Sequence, residues 1–154
     1  MPNTKAVGVA YSDPEFDSVT VTGASALQAV TGTTVVGTTV FATSEMGYTA
    51  AASGTVTQLT SKSTGVTLNK SAGQITMNGA ELANVTNVTF TLTNSVISAK
   101  DVVVLSVASG ATAGAYNCWV SGKGTGTCTI TLRNLSGGAL SEAVVINFVV
   151  IHVL

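Results

Sequence analysis

Val88-Thr89-Phe90-Thr91-Leu92 alternates large apolar residues with threonines. Side chains on a strand point to opposite faces in turn, so Val88, Phe90 and Leu92 fall on one side and the threonines on the other. Between Thr127 and Asn134, Cys128, Ile130 and Leu132 alternate with Thr129, Thr131 and Arg133 in the same way. Each segment reads as a strand with one face on a core and one face toward water. Similar segments, bounded by Gly, Ser or Asn, recur at residues 35–43, 55–60, 66–69, 74–78, 102–108, 115–121 and 143–153. Few windows hold apolar residues at helical spacing, and Thr, Val and Gly lower helix propensity throughout. One short helical turn is expected at residues 80–83. The fold class is therefore all-β: an antiparallel β-sandwich or jelly roll with an extended N-terminal arm.

Residues 144–151 depart from simple alternation, because Val145, Val149 and Ile151 oppose Ile146, Phe148 and Val150. A strand apolar on both faces calls for burial on both, in the middle of the fold or at a subunit contact. Val145, Val149, Ile151 and the adjoining His152 are the candidate interface residues.

The small-residue stretch Ala50-Ala51-Ala52-Ser53-Gly54 reads as a junction. Before it the chain alternates but carries few large core residues, too few to offset the cost of ordering. Residues 1–53 are thus expected to form an arm or small β extension that orders on a neighbouring surface. Residues 54–154 hold most of the strands and large apolar residues, and form the sandwich.

A three-residue turn at Gly122-Lys123-Gly124 would place Ser121 opposite Thr125 and Cys118 opposite Cys128, with both thiols on the face of Val120 and Ile130. Two cysteines do not make a disulfide framework, and the expected state is a pair of reduced core thiols.

Charged residues make up 8% of the chain, against about 25% in an ordinary domain. So little charge leaves the surface prone to association, which points to assembly rather than catalysis. Six scattered Lys and Arg and a net charge of −1 supply no basic field for nucleic acid. The mean hydropathy is +0.49, yet the longest apolar run, residues 143–154, contains Asn147 and His152 and is too short to span a membrane. Met1-Pro2-Asn3-Thr4-Lys5 is not followed by an apolar signal core, so the chain is expected to be made in a reducing cytoplasm.

No catalytic constellation emerges. His152 is the sole histidine, so neither a hydrolytic triad nor an imidazole metal pair is supplied. Asp13, Glu15 and Asp17 would share one side of an extended segment, but the Gly and downstream Glu of an EF-hand are missing, and a solvated arm is the expected reading. Glu45, Glu81, Asp101 and Glu142 are isolated in sequence. Gly122-Lys123-Gly124 and Ser136-Gly137-Gly138 are turns rather than phosphate loops. Trp119 and Tyr116 are expected to pack on cross-strand neighbours rather than on a sugar. No cofactor and no metal are expected.

Several phrases carry a family likeness: Gly54-Thr55-Val56-Thr57-Gln58, Lys62-Ser63-Thr64-Gly65-Val66-Thr67-Leu68-Asn69, Gly73-Gln74-Ile75-Thr76-Met77-Asn78, Phe90-Thr91-Leu92-Thr93-Asn94, Ala108-Ser109-Gly110-Ala111-Thr112-Ala113-Gly114 and Ile130-Thr131-Leu132-Arg133-Asn134. Over about two-thirds of its length the chain resembles small structural proteins of tailed bacteriophages, the capsid cement or decoration proteins. The resemblance implies a homotrimer of β-sandwich or jelly-roll domains on the outer capsid surface of the virion, bridging subunits of the major capsid protein. The alternatives are a tail-fibre or receptor-binding tip and a carbohydrate-binding jelly-roll module.

Overall fold

The computed structural model describes Gly23, Gly32, residues 34–37 and residues 39–153. The chain divides into two units, Met1–Phe41 and Ala42–Leu154. In the second, a 3-10 turn at Ala50–Ala52 leads into eight strands: β1 (Ser53–Thr57), β2 (Val66–Thr67), β3 (Ala72–Thr76), β4 (Asn87–Thr93), β5 (Val102–Ser109), β6 (Tyr116–Gly124), β7 (Thr127–Asn134) and β8 (Val145–Ile151).

The strands form two four-stranded sheets in the orders β1-β3-β8-β5 and β2-β4-β7-β6. Their inner faces meet in one core, where Ile75, Phe90, Leu92, Ile130, Leu132, Ile146, Phe148 and Val150 are buried. The alternation of Val88, Phe90 and Leu92 is met as expected, since each stands across from Leu132, Ile130 and Cys128 on the inner side of the β4-β7 pair.

The expectation of purely antiparallel sheets is corrected. β1 runs parallel to β3, and β2 runs parallel to β4, so both sheets are mixed. Each parallel pair is joined by a connection that leaves its sheet, and period-two alternation is the same for either strand direction. Three local expectations also change. Residues 35–37 and 39–43 lie in no strand, and Val35, Val36, Val40 and Phe41 stand exposed without a ladder to pair with. Residues 80–83 form no helical turn; Leu82 instead exchanges two backbone hydrogen bonds with Leu140.

The third correction concerns the β6-β7 hairpin. β6 continues through Gly122–Gly124 and turns at Thr125-Gly126, where Gly126 takes a left-handed φ of 75°. A bulge between Val120 and Gly122 then shifts the register, putting Cys118 opposite Leu132 and Cys128 opposite Lys123. The two cysteines are thus offset by four residues along β7, about 13 Å, well beyond disulfide reach. Both are free thiols, and burial pushes the pKa of each up.

Candidate functional site

β8 lies inside its sheet, between β3 and β5. Its Ile146, Phe148 and Val150 point into the core, while Val145, Val149 and Ile151 belong to the outer face. Of the two burials its sequence calls for, the single chain supplies one. Val149 is 36% exposed and Ile151 51% exposed.

Neighbouring strands extend this apolar surface. Val149 stands between Ala72 of β3 and Val104 of β5, and Ile151 stands opposite Val102. Val102 and Val104 are both about half exposed. Val145 is half-buried between Thr76 and Ser109. Midway along the face, Gln74 Nε2 donates to Asn147 Oδ1 at 3.0 Å, so the central polar groups satisfy one another. Thr55, Thr57 and Ser106 complete it, and none of these outward residues carries an ionisable group. A sheet surface without charge lacks the usual protection against association.

The chain preceding β1 frames one end of this face. Tyr48 Oη donates a 2.6 Å hydrogen bond to the carbonyl of Val150, which fixes its ring beside the β8 terminus. A cleft of about 540 Å³ opens there, lined by Met46, Gly47, Tyr48, Ser53, Ala72, Val149 and Ile151. A shallower depression of about 440 Å³ continues from it along Gly54, Gly73 and Gln74. The outer face is therefore a trough rather than a plane.

His152, the fourth interface candidate, lies just beyond β8 with its ring turned to Asp101, 2.9 Å from Nδ1 to Oδ2. Val145, Val149 and Ile151 thus share one surface, and His152 closes its edge. Sequence reading missed Ala72, Val102, Val104, Met46 and Tyr48. The valines carried a signal, since Val102-Val103-Val104-Leu105 is apolar on both faces in the manner of β8. Tyr48 carried none, because its bond spans 102 residues.

Asp101 and Glu142 do not converge. Asp101 precedes β5 and Glu142 precedes β8, and these strands are antiparallel, so the two carboxyls sit at opposite ends of the pair, about 20 Å apart. Glycoside hydrolysis needs roughly 5–9.5 Å. Glu142 accepts hydrogen bonds from the hydroxyl and amide of Thr112, which hold its carboxyl low. Burial first, and the nearby Glu142 carboxylate second, push the Tyr116 phenol up to about 12, although its Oη makes no hydrogen bond of normal geometry.

Among the described residues no three His, Cys, Asp or Glu side chains cluster as metal ligands, and no helix is long and apolar enough to cross a membrane. Asp13, Glu15 and Asp17 lie outside the described residues. Trp119 lies half-buried on the outer side of the second sheet opposite Thr131, which is 4% exposed. Comparison with known protein families, with curated proteins and with solved structures finds no match.

Proposed function

We propose that this chain is a structural protein of a tailed-bacteriophage virion: a capsid cement protein that assembles as a homotrimer on the outer shell and bridges major capsid protein subunits. The observation that carries this reading is the outer face of the β1-β3-β8-β5 sheet, apolar around Val149 and free of ionisable groups. Stable interfaces hide upwards of roughly 1,200 Å² in total, and each Å² of apolar area contributes about 25 cal/mol before the costs of association. Adhesion of this kind needs area rather than a reactive group, and the scattered carboxyls fit that role. A closed three-fold contact hides the same patch on every copy and cannot propagate into fibres. The jelly-roll reading is kept for the two-by-four layer plan, with two parallel pairings as its departure, and the arm before Met46 is assigned to the shell.

Cryo-electron microscopy of the particle that carries this chain tests the proposal. Trimeric density on the shell is the expected result. Density confined to the tail would replace it with the receptor-binding tip, and a chain that stays monomeric and off the particle would overturn both.

A further inference from the structure

Within Ala42–Leu154, no described large apolar side chain is more exposed than Leu59, at 85%. An exposed leucine is ordinary on a loose loop. This loop is not loose. Gln58, only 2% exposed, donates its Nε2 to the carbonyls of Lys62 and Thr64 and accepts from the Asn78 amide through Oε1. Asn78 Nδ2 donates to the Leu59 carbonyl itself at 3.1 Å. Lys62, 3% exposed, donates its ammonium to the carbonyls of Asn78 and Glu142. Buried polar groups on both sides of Leu59 thus hold its backbone still while the side chain stands in water, so little further order is lost when it is covered.

The direction of that side chain is set by β1. Ser53, Thr55 and Thr57 face outward, and Gln58 keeps the alternation by burying its side chain while its amide donates to Thr76 at 2.9 Å. Leu59 therefore continues the outward row, at the far end of the apolar face. The Tyr48 cleft opens at the other end, beside Ser53. Six residues of extended chain separate Ser53 from Leu59, about 20 Å, so Leu59 cannot fill the cleft of its own chain.

The size of the face calls for both features. Four strands about 4.8 Å apart and some seven residues long give a footprint of about 440 Å², whereas a stable interface takes roughly 800 Å² per partner. The Leu59 loop at one end and the Met46–Tyr48 segment at the other add the missing area.

We propose that Leu59 of one copy seats in the Tyr48 cleft of a second copy of this chain. This rests on the self-association proposed above and adds the pair of sites that sets its register. The contact joins two different patches, and such a contact closes into a ring where the rotation between neighbours is three-fold and runs on into a filament where it is not.

The test mixes a Leu59→Cys chain with a Ser53→Cys chain, followed by mild oxidation and a non-reducing gel. Covalent dimers from the mixture, at several-fold the yield of either variant alone, are the expected result. Leu59→Asp should in parallel raise the concentration at which the assembly half-dissociates by at least tenfold while leaving the melting temperature of the dissociated chain unchanged. Absence of the mixed cross-link, or an unchanged midpoint for Leu59→Asp, overturns the contact. If the wild-type chain is still multimeric by sedimentation in that case, self-association survives without it. A wild-type chain that is monomeric at every concentration overturns both.

Discussion

Asp101 Oδ2 lies 2.9 Å from Nδ1 of His152, tying the residue before β5 to the residue after β8. The same carboxylate, 1% exposed, also accepts from the Ser98 amide, the Ser98 hydroxyl and the Val153 amide. These bonds, the Ser98 amide foremost, hold its carboxyl well below the ordinary value of 3.8, against the opposing effect of burial. An acid whose pKa is depressed by folding contributes stability above its unfolded pKa and loses it as pH falls toward the folded one. The melting temperature should therefore drop on acidification below about pH 4. Asp101→Asn should melt lower than wild type at neutral pH and show a shallower acid slope. Melts recorded from pH 2 to pH 7 check this, and parallel slopes for the two proteins would contradict it.

Val149 shares the outer face with Ala72 and Val104 as direct cross-strand neighbours. In an isolated chain, aspartate at this position would face water, so Val149→Asp should fold with a melting temperature within a few degrees of wild type. In the assembly the same carboxylate would be buried without a partner, which costs several kcal/mol and weakens association by roughly 100-fold or more. Sedimentation equilibrium distinguishes the cases. A trimer that persists at wild-type strength would remove this face from the interface.

The strands were legible because alternation survives burial: the alternating residues 88–92 fall within Asn87–Thr93, and the segment read at 127–134 is the strand Thr127–Asn134. The double apolarity of β8 is likewise legible in the sequence, and in the single chain Val149 and Ile151 stand on its exposed face. Strand direction was not legible, since a parallel and an antiparallel neighbour ask the same pattern of β1. The β6-β7 register failed for a local reason: Gly122 and Gly124 looked like turn residues, but Gly126 supplies the left-handed backbone, and a bulge shifts the pairing. Residues 35–37 and 39–43 show the converse, a strand-like pattern with no ladder. Tyr48, Gln58 and Lys62 act through partners distant in sequence or through backbone carbonyls, which composition does not mark.

Gly73 shows how closely β1 and β3 approach. A Cβ there would come within 2.6 Å of the Gly54 carbonyl oxygen, 2.8 Å of a Leu68 methyl and 3.0 Å of the Phe148 ring. The backbone oxygen cannot move without breaking the parallel pairing, so Gly73→Ala should cost about 1–3 kcal/mol. At Gly54 the nearest atom to an added Cβ is a Leu68 methyl at 3.0 Å, the end of a flexible side chain. Gly54→Ala should be the milder change. Urea unfolding of both variants tests the order, and equal losses would mean that the carbonyl contact is not the cause.

Val85 holds a φ of 54°, the one described non-glycine residue in the left-handed region, at 59% exposure in the loop before β4. A β-branched side chain is strained there, at a cost of about 1–2 kcal/mol, because its Cβ crowds the following carbonyl. Little packing is lost by removing a side chain so exposed. Glycine relieves the crowding but returns about 0.5–1 kcal/mol through the freedom it adds to the unfolded chain. Asparagine tolerates the same backbone with less of that penalty. Val85→Asn should therefore stabilise by about 1 kcal/mol and Val85→Gly by less, read as a higher urea midpoint with an unchanged slope. A lower midpoint in both would show that this loop does not keep its left-handed backbone in solution.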